Sequence, residues 1–444
     1  MSYPVNGKSS CIFNCKKSIS TESSLSCSRK NNRWFKNRLT KRTELVSHFP
    51  PLFLSMTLVG LEYVNSRVLL NPKRWSLRWN YFILCLVSAS LIHNICVQIF
   101  LFYLGEANSA FYTLFSITKL IGSLMILAIF YTRKPQISHL FTDIEIYLHK
   151  SPQDNVFCIS QLRPLNQLLT IDVAICWLSM ILFIYTNIAS NSGDDLTNYL
   201  RDYFFGLNIT RIPEWMPVIL LSVETSIYFL ATAAPTQFFS LYYVLLCRLV
   251  TILFQSLNNR IRFHLFQGKK VDHTFVQNVR SSHNRLTSMV DVIDERLSFL
   301  AFLQYIILMS DLSKYVYYLI DRLTRRWEDN YEIMFVVLRV AHMIFLFVHI
   351  SFCASQVSEE SVASIVELQD ISTEICSDEQ DWQQLQLIGL LMKMHTTPSQ
   401  LTGWNLFVIN RGFVLTVLGV VLTYSLVLFQ MTPWAQMKTN DTKS

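Results

Sequence analysis

Seven long apolar segments alternate with polar stretches along the chain, and each is about as long as, or longer than, the roughly 20 residues that a helix needs to cross a bilayer. They are Tyr81–Leu104, Phe111–Tyr131, Leu168–Ile188, Met216–Leu246, Phe299–Ile320, Ile333–Cys353 and Leu406–Met431. The fourth segment is longer than a bilayer requires, so we expect it to continue as a helix beyond the membrane surface. The pattern predicts an all-α, polytopic membrane protein with seven transmembrane helices.

Composition agrees with this fold class. Hydrophobic residues make up 51% of the 444 residues and charged residues only 16%, whereas soluble domains carry roughly 25% charged residues. The net charge of +7 comes mainly from the first 80 residues, and no basic face alternates with exposed aromatic residues. We therefore expect no nucleic-acid partner. Cys11 and Cys15 have no second pair nearby, so we expect no metal or other cofactor and no enzymatic activity.

Basic residues also predict the orientation of the helices. The N-terminal segment and the loops between helices 2 and 3, 4 and 5, and 6 and 7 carry 27 Lys and Arg, and the segments on the other side carry 7. Because Lys and Arg concentrate in cytoplasmic loops, the N-terminus is predicted to be cytoplasmic and the C-terminus extracellular. The sequons at Asn208 and Asn440 then lie outside the cell, where both are candidate glycosylation sites.

The pattern divides the chain into five regions. They are a disordered basic cytoplasmic arm (1–50), an interfacial helix followed by transmembrane helices 1–6 with cytoplasmic loop 4–5 (51–355), cytoplasmic anchor helices (356–405), transmembrane helix 7 (406–431) and an extracellular tail (432–444). Within loop 4–5 we interpret the acidic residues Asp291, Asp294 and Glu295 as a solvated helix face.

The end of the seventh helix carries a recognisable motif. Thr423 and Tyr424 are followed by five mainly apolar residues and then by Gln430 and Met431. This sequence resembles the signature of the arthropod gustatory receptor family, which is related to the insect odorant receptors. Met431 stands where the signature has Phe, and Ser425 stands where sugar-sensing members carry Glu. The second difference argues against a sweet receptor.

The resemblance implies a chemosensory, ligand-gated, non-selective cation channel in the plasma membrane of sensory neurons. Members of the family are tetramers in which one seventh helix from each subunit lines the pore. By the same analogy a small-molecule tastant binds among helices 2–6, and the partners are membrane lipid and other subunits of a homo- or heterotetramer.

Helical spacing identifies a candidate pore face on the seventh helix. Thr423, Leu426, Val427 and Gln430 share one side of it. Burying an unpaired amide in hydrocarbon costs a few kcal/mol, so Gln430 must face either another helix or water. A ring of apolar side chains can gate a pore by dewetting. The alternative is that Gln430 forms a hydrogen bond with a neighbouring helix.

Charged and aromatic residues at membrane depth are the candidates for ligand contact. We expect Trp177, Glu224, Tyr228 and Tyr305 to line the pocket. Each buried charge also has a purely structural explanation. Asp311 and Lys314 could pair on one helix face, Lys119 could pair with Asp172, and Arg339 with Asp311 or Glu224.

Three alternatives remain at this stage. An odorant-receptor-type channel subunit shares the expected fold. A metabotropic seven-helix receptor would need the opposite orientation of the C-terminus. A transporter or membrane enzyme would need internal repeats or a cluster of catalytic side chains, and the sequence has neither.

Overall fold

The computed structural model describes the residues of one compact unit, Glu44–Ser444, with several gaps. The described ranges are 44–61, 75–103, 110–150, 152–190, 215–267, 273–324, 330–363 and 399–441, together with residues 365, 388–389 and 391–392. Almost all of the predicted basic arm, the sequon at Asn208 and most of the predicted anchor helices lie outside these ranges.

Ten helices and one small hairpin make up the described part of the chain. The helices are α1 (Glu44–Ser47), α2 (Pro50–Leu58), α3 (Trp75–Tyr103), α4 (Ala110–Thr132), α5 (Lys134–Lys150), α6 (Pro152–Ser190), α7 (Trp215–Phe266), α8 (His273–Thr324), α9 (Asn330–Val362) and α10 (Arg411–Asp441). Strands β1 (Thr402–Gly403) and β2 (Phe407–Val408) pair antiparallel just before α10.

Each apolar segment of the sequence coincides with a helix. Predicted helices 1–7 correspond to α3, α4, α6, α7, α8, α9 and α10. Within the described ranges, three stretches are long and apolar enough to span a bilayer by themselves, namely Ser160–Thr186, Val218–Phe266 and Val336–Val362. Shorter apolar stretches lie in α3, α4 and α10. The all-α polytopic membrane fold is therefore confirmed.

Helix α7 forms the centre of the bundle. It packs against α2, α3, α4, α6, α8 and α9, and it continues to Phe266, as the length of the fourth segment predicts. Small residues allow this close packing, because Ala231, Ala233 and Ala234 are all buried there. At the crossing with α4, the Ser123 hydroxyl donates a hydrogen bond to the backbone carbonyl of Thr232 at 2.7 Å.

Helix α2 is the segment interpreted as an interfacial helix. One of its faces is buried, with Leu52, Phe53 and Met56 packed against α6 and α7. Its other face carries Leu54 and Leu58, which are exposed. The helix is thus part of the bundle wall, since a strip of apolar residues on one side is covered by protein.

The C-terminal elements differ from their predicted bounds. The seventh helix begins at Arg411, five residues after the predicted start, because β2 occupies Phe407–Val408. Asn410 caps the helix by accepting a hydrogen bond from the Phe413 N–H at 2.8 Å, as short polar side chains do at helix starts. The helix continues to Asp441, so most of the predicted tail is helical, since residues such as Ala435, Gln436 and Met437 favour helix.

Candidate functional site

A buried ion pair lies between the second and fifth transmembrane helices. Lys119 Nζ of α4 is 2.6 Å from Asp311 Oδ2 of α8, and both side chains are almost completely buried. The predicted pairing of Lys119 with Asp172 is therefore wrong. Asp172 of α6 instead faces the His349 imidazole of α9, at 3.8 Å. Lys119 and Asp311 stabilise each other, because removal of either would leave the other as an uncompensated buried charge.

Arg339 of α9 is the second buried cation of this region. Its Nη1 donates a hydrogen bond to the Ser179 hydroxyl of α6 at 2.7 Å. The guanidinium carbon lies 5.1 Å from the centre of the Phe183 ring and 6.0 Å from that of Tyr315. Both distances suit a cation–π interaction. Tyr315 lies one helical turn after Asp311 on α8, so the arginine is next to the ion pair.

Aromatic stacking extends this region to α7. The rings of Phe183 and Tyr228 are stacked with their centres 6.4 Å apart. Glu224 lies one helical turn before Tyr228, and both residues are half-buried. Polar and aromatic side chains from α4, α6, α7, α8 and α9 thus form a set that we call the polar belt, in which Glu224 is included by its helical spacing from Tyr228. It consists of Lys119, Ser179, Phe183, Glu224, Tyr228, Asp311, Tyr315 and Arg339.

Two of the four predicted pocket residues make their contacts outside the polar belt. The Trp177 indole N–H donates to the Ser55 hydroxyl of α2 at 3.0 Å, and its ring packs on Phe238. Tyr305 is buried, and its hydroxyl forms a 2.9 Å hydrogen bond with Ser351. Glu224 and Tyr228 are therefore the predicted pocket residues that belong to the belt.

The candidate pore face of α10 points away from the bundle. Val417 and Val421 form the packed side of the helix and are buried. The predicted pore residues Thr423, Leu426 and Val427 are all exposed, as is Leu422. Gln430 lies in the same helix on the same face by its spacing. Tyr424 of the motif is exposed as well, while the side chains of Gln430, Met431 and the sequon residue Asn440 lie outside the described set.

Sequence comparison now identifies the family. The family model described as 7tm chemosensory receptor matches residues 49–433, a range that includes all seven apolar helices. The chain belongs to the 7tm chemosensory receptor family. None of the curated proteins matches it.

Two solved structures have the same fold as this chemosensory receptor. The insect olfactory receptor OR5 from Machilis hrabei in complex with eugenol is 14% identical, with a TM-score of 0.65 over 88% of this chain and 98% of that chain. A second structure of that olfactory receptor is 12% identical, with a TM-score of 0.63 over 91% of this chain and 99% of that chain. The family and the fold are those of receptors rather than enzymes.

One buried contact between distant parts of this chemosensory receptor was missed by sequence reasoning. Asp294 of α8 accepts hydrogen bonds from the Thr402 backbone N–H at 2.6 Å and from the Thr402 hydroxyl at 2.8 Å. The interpretation of Asp294 as part of a solvated face is therefore wrong, whereas its neighbours Asp291 and Glu295 are exposed. The sequence contained a signal for the partial burial of Asp294, although not for its partner, because Asp294 lies one helical turn after the buried Val290 on α8.

Proposed function

We propose that this chemosensory receptor is a ligand-gated, non-selective cation channel of the gustatory type. It acts as a homo- or heterotetramer in the plasma membrane of sensory neurons, with α10 of each subunit lining the pore. The observation that carries the proposal is the exposure of Thr423, Leu426 and Val427, which share one face of α10 beyond its packed first turns. Four such faces around an axis would form an apolar constriction, which closes a pore to ions by excluding water.

We propose the polar belt as the place where the small-molecule tastant binds. Tyr228 supplies an aromatic face and Glu224 a carboxylate, and both are half-buried rather than sealed in the core. Such a combination of ring stacking and one polar group is common in small-molecule sites. Asn208 and Asn440 would carry glycans on the extracellular side.

The gustatory type is favoured by the Thr423-Tyr424 pair with Gln430. The second candidate is an odorant-receptor-type channel subunit. It shares the same fold, which is also that of the olfactory receptor OR5 from Machilis hrabei. The chemical class of the activating ligand would separate the two candidates.

Whole-cell recording from cells that express this protein tests the proposal. Sugars, bitter alkaloids and amines would be applied, with G-protein signalling blocked. We expect one class to evoke a rapid cation current that survives the blockade. Val427→Ala and Gln430→Ala should change the conductance or the cation selectivity, since both side chains are assigned to the pore.

Ile181→Ala is the matched control for these variants. Ile181 is an exposed, β-branched apolar residue like Val427, with 61% of its surface exposed against 44% for Val427, but it lies on a different helix, α6. It should leave the current unchanged. A current that disappears with G-protein blockade would contradict the channel assignment. Pore variants that behave like Ile181→Ala would contradict the role of α10.

A further inference from the structure

The β1–β2 hairpin is fixed to α8 by a carboxylate. The two hydrogen bonds from Thr402 to Asp294 end on different oxygens of the same carboxyl group. Burial raises the pKa of Asp294, and the two bonds from Thr402 act in the opposite direction. A charged acceptor makes such bonds about twice as strong as neutral ones. The hairpin is therefore held at its first strand by one strong, specific contact.

The turn of the hairpin is held by a second set of contacts with α8. Trp404 and Asn405 have φ values of 52° and 55°, a region that bulky residues rarely adopt. The Trp404 N–H donates to the Ser298 carbonyl at 3.1 Å. Its ring packs against Phe299 and Phe302, with ring centres 5.2 Å and 5.4 Å away. An unfavourable backbone conformation persists only where its surroundings enforce it, and here α8 does so.

The hairpin in turn holds the first turn of α10. The rings of Phe407 in β2 and Phe413 in α10 are stacked 4.4 Å apart, at 9° to each other. Tyr305 of α8 contacts both rings edge-on, with centres 5.8 Å and 5.3 Å away. Gly403 completes the fit, because a Cβ atom at that position would lie 2.3 Å from the Phe407 ring. A continuous set of contacts therefore runs from Asp294 to the start of α10.

The outer half of α10 is packed very differently. Val421 is the last residue of the helix that is described as buried, and the described side chains after it are exposed. The helix is thus fixed at its first turns and bare further along.

We propose that Asp294 and the β1–β2 hairpin form a joint that holds α10 in its resting position, so that Asp294 is a positioning residue for the gate. The proposal rests on the proposed function, because it takes α10 as the pore helix. Loss of the Thr402 contacts to Asp294 would free the first turns of α10 and let the pore open without ligand.

Hydrogen exchange on the full-length protein in phosphatidylcholine nanodiscs tests the joint itself. We compare Asp294→Asn and Thr402→Val, which weaken the contact, with Thr402→Ser, which keeps the hydroxyl. Glu295→Gln is the matched control, since it removes the same charge from the next, exposed residue. Amides of residues 402–413 should exchange up to about tenfold faster in the first two variants and at the wild-type rate in the others. Unchanged exchange in Thr402→Val and Asp294→Asn would show that the contacts between Thr402 and Asp294 do not hold residues 402–413 in place, which would overturn the proposal.

Ligand-free thallium flux into phosphatidylcholine vesicles tests its effect on the pore. Thr402→Val and Asp294→Asn should raise the basal flux several-fold, and Thr402→Ser, which keeps the hydroxyl, should show the basal flux of the wild type. Val427→Ala separates the two proposals. If Val427→Ala changes the flux but the joint variants do not, the joint has no role in gating and this inference is overturned. If Val427→Ala also leaves the flux unchanged, α10 does not line the pore, and the proposed role of the joint in gating is wrong as well. The hydrogen-exchange result then still shows whether Asp294 and Thr402 fix the hairpin.

Discussion

Helices α7 and α10 are both apolar, yet their surroundings are opposite. In the most apolar window of α7, 94% of the residues are buried by the rest of the chain. In α10, Leu415, Tyr424 and Leu426 are 74%, 65% and 58% exposed. Hydropathy therefore shows that a helix belongs in a membrane but not what covers it. The cover of α7 comes from its own chain, and the exposed face of α10 is left uncovered by that chain.

Hydroxyl groups form hydrogen bonds within their own helix in both regions, whereas the buried charged groups of the bundle pair between helices. On α10, the hydroxyls of Thr416 and Thr423 donate to the carbonyls of Gly412 and Gly419, four residues earlier, at 3.0 Å and 2.8 Å. These groups need no neighbouring helix. In the bundle, Lys119 and Asp311 are satisfied across two helices. The charged groups of the bundle thus depend on partners in other helices.

The largest expected effect comes from removing a large side chain from α7. Phe239 is fully buried and packs edge-on against Phe130, with ring centres 5.9 Å apart. Phe239→Ala should destabilise the fold by about 3–5 kcal/mol, since it leaves a cavity. Leu426→Ala on α10 should leave monomer stability nearly unchanged. Thermal melting of detergent-solubilised monomers measures the stability of both variants. Equal losses of stability in Phe239→Ala and Leu426→Ala would contradict the contrast between the two helices.

Breaking the buried ion pair should have nearly as large an effect. Lys119→Met leaves the Asp311 carboxylate without its partner, which costs about 3–5 kcal/mol. The double variant with Asp311→Leu should recover most of the lost stability, because no uncompensated charge remains. The double-mutant cycle of melting temperatures checks this. Additive losses would show that the two side chains do not stabilise each other.

Two glycine variants compare the packed region at the start of α10 with the exposed face of the helix. A Cβ atom at Gly403 would overlap the Phe407 ring, whereas one at Gly419 would meet nothing within 4 Å. Gly403→Ala should therefore cost about 1–3 kcal/mol through overpacking, and Gly419→Ala should cost nothing measurable in the monomer. Hydrogen exchange in residues 402–413 provides the local measurement. Faster exchange in Gly419→Ala would argue against a bare face.

The smallest expected effect is that of the exposed ion pair at the start of α10. Arg411 Nη2 and Glu359 Oε2 are 2.5 Å apart, but their side chains are 62% and 46% exposed. Arg411→Gln should cost less than about 1 kcal/mol, and added salt should reduce the difference further. Melting at low and high salt concentration checks this. A loss as large as that of Lys119→Met would mean that the pair is buried in the assembled protein.

The sequence predicted much of the fold because membrane helices carry a strong local signal. Each of the seven apolar segments lies largely in a helix, and the part of loop 4–5 that was interpreted as a helix face, around Asp291 and Glu295, belongs to α8. Helical spacing also placed Thr423, Leu426 and Val427 on one face of α10, and all three side chains are exposed.

The remaining features depend on contacts between distant parts of the chain. Asp311 rather than Asp172 pairs with Lys119 because of how α4 lies against α8, which no local pattern encodes. The hairpin was not predicted since Trp404 and Asn405 adopt positive φ values only with the support of α8. For the same reason, helical periodicity did not reveal that Asp294 binds Thr402.

Thiol accessibility along α10 tests directly whether the exposed face of this helix lines the pore. Thr423, Leu426, Val427 and the packed Val421 would each be changed to Cys, with the wild type as the control for native cysteines. Each variant would be exposed to a charged, membrane-impermeant thiol reagent while cation flux is recorded. We expect the reagent to block flux through the Thr423, Leu426 and Val427 variants and to leave flux through the Val421 variant unchanged. Block at Val421 alone, or at none of the four, would contradict a pore lined by the outward face of α10.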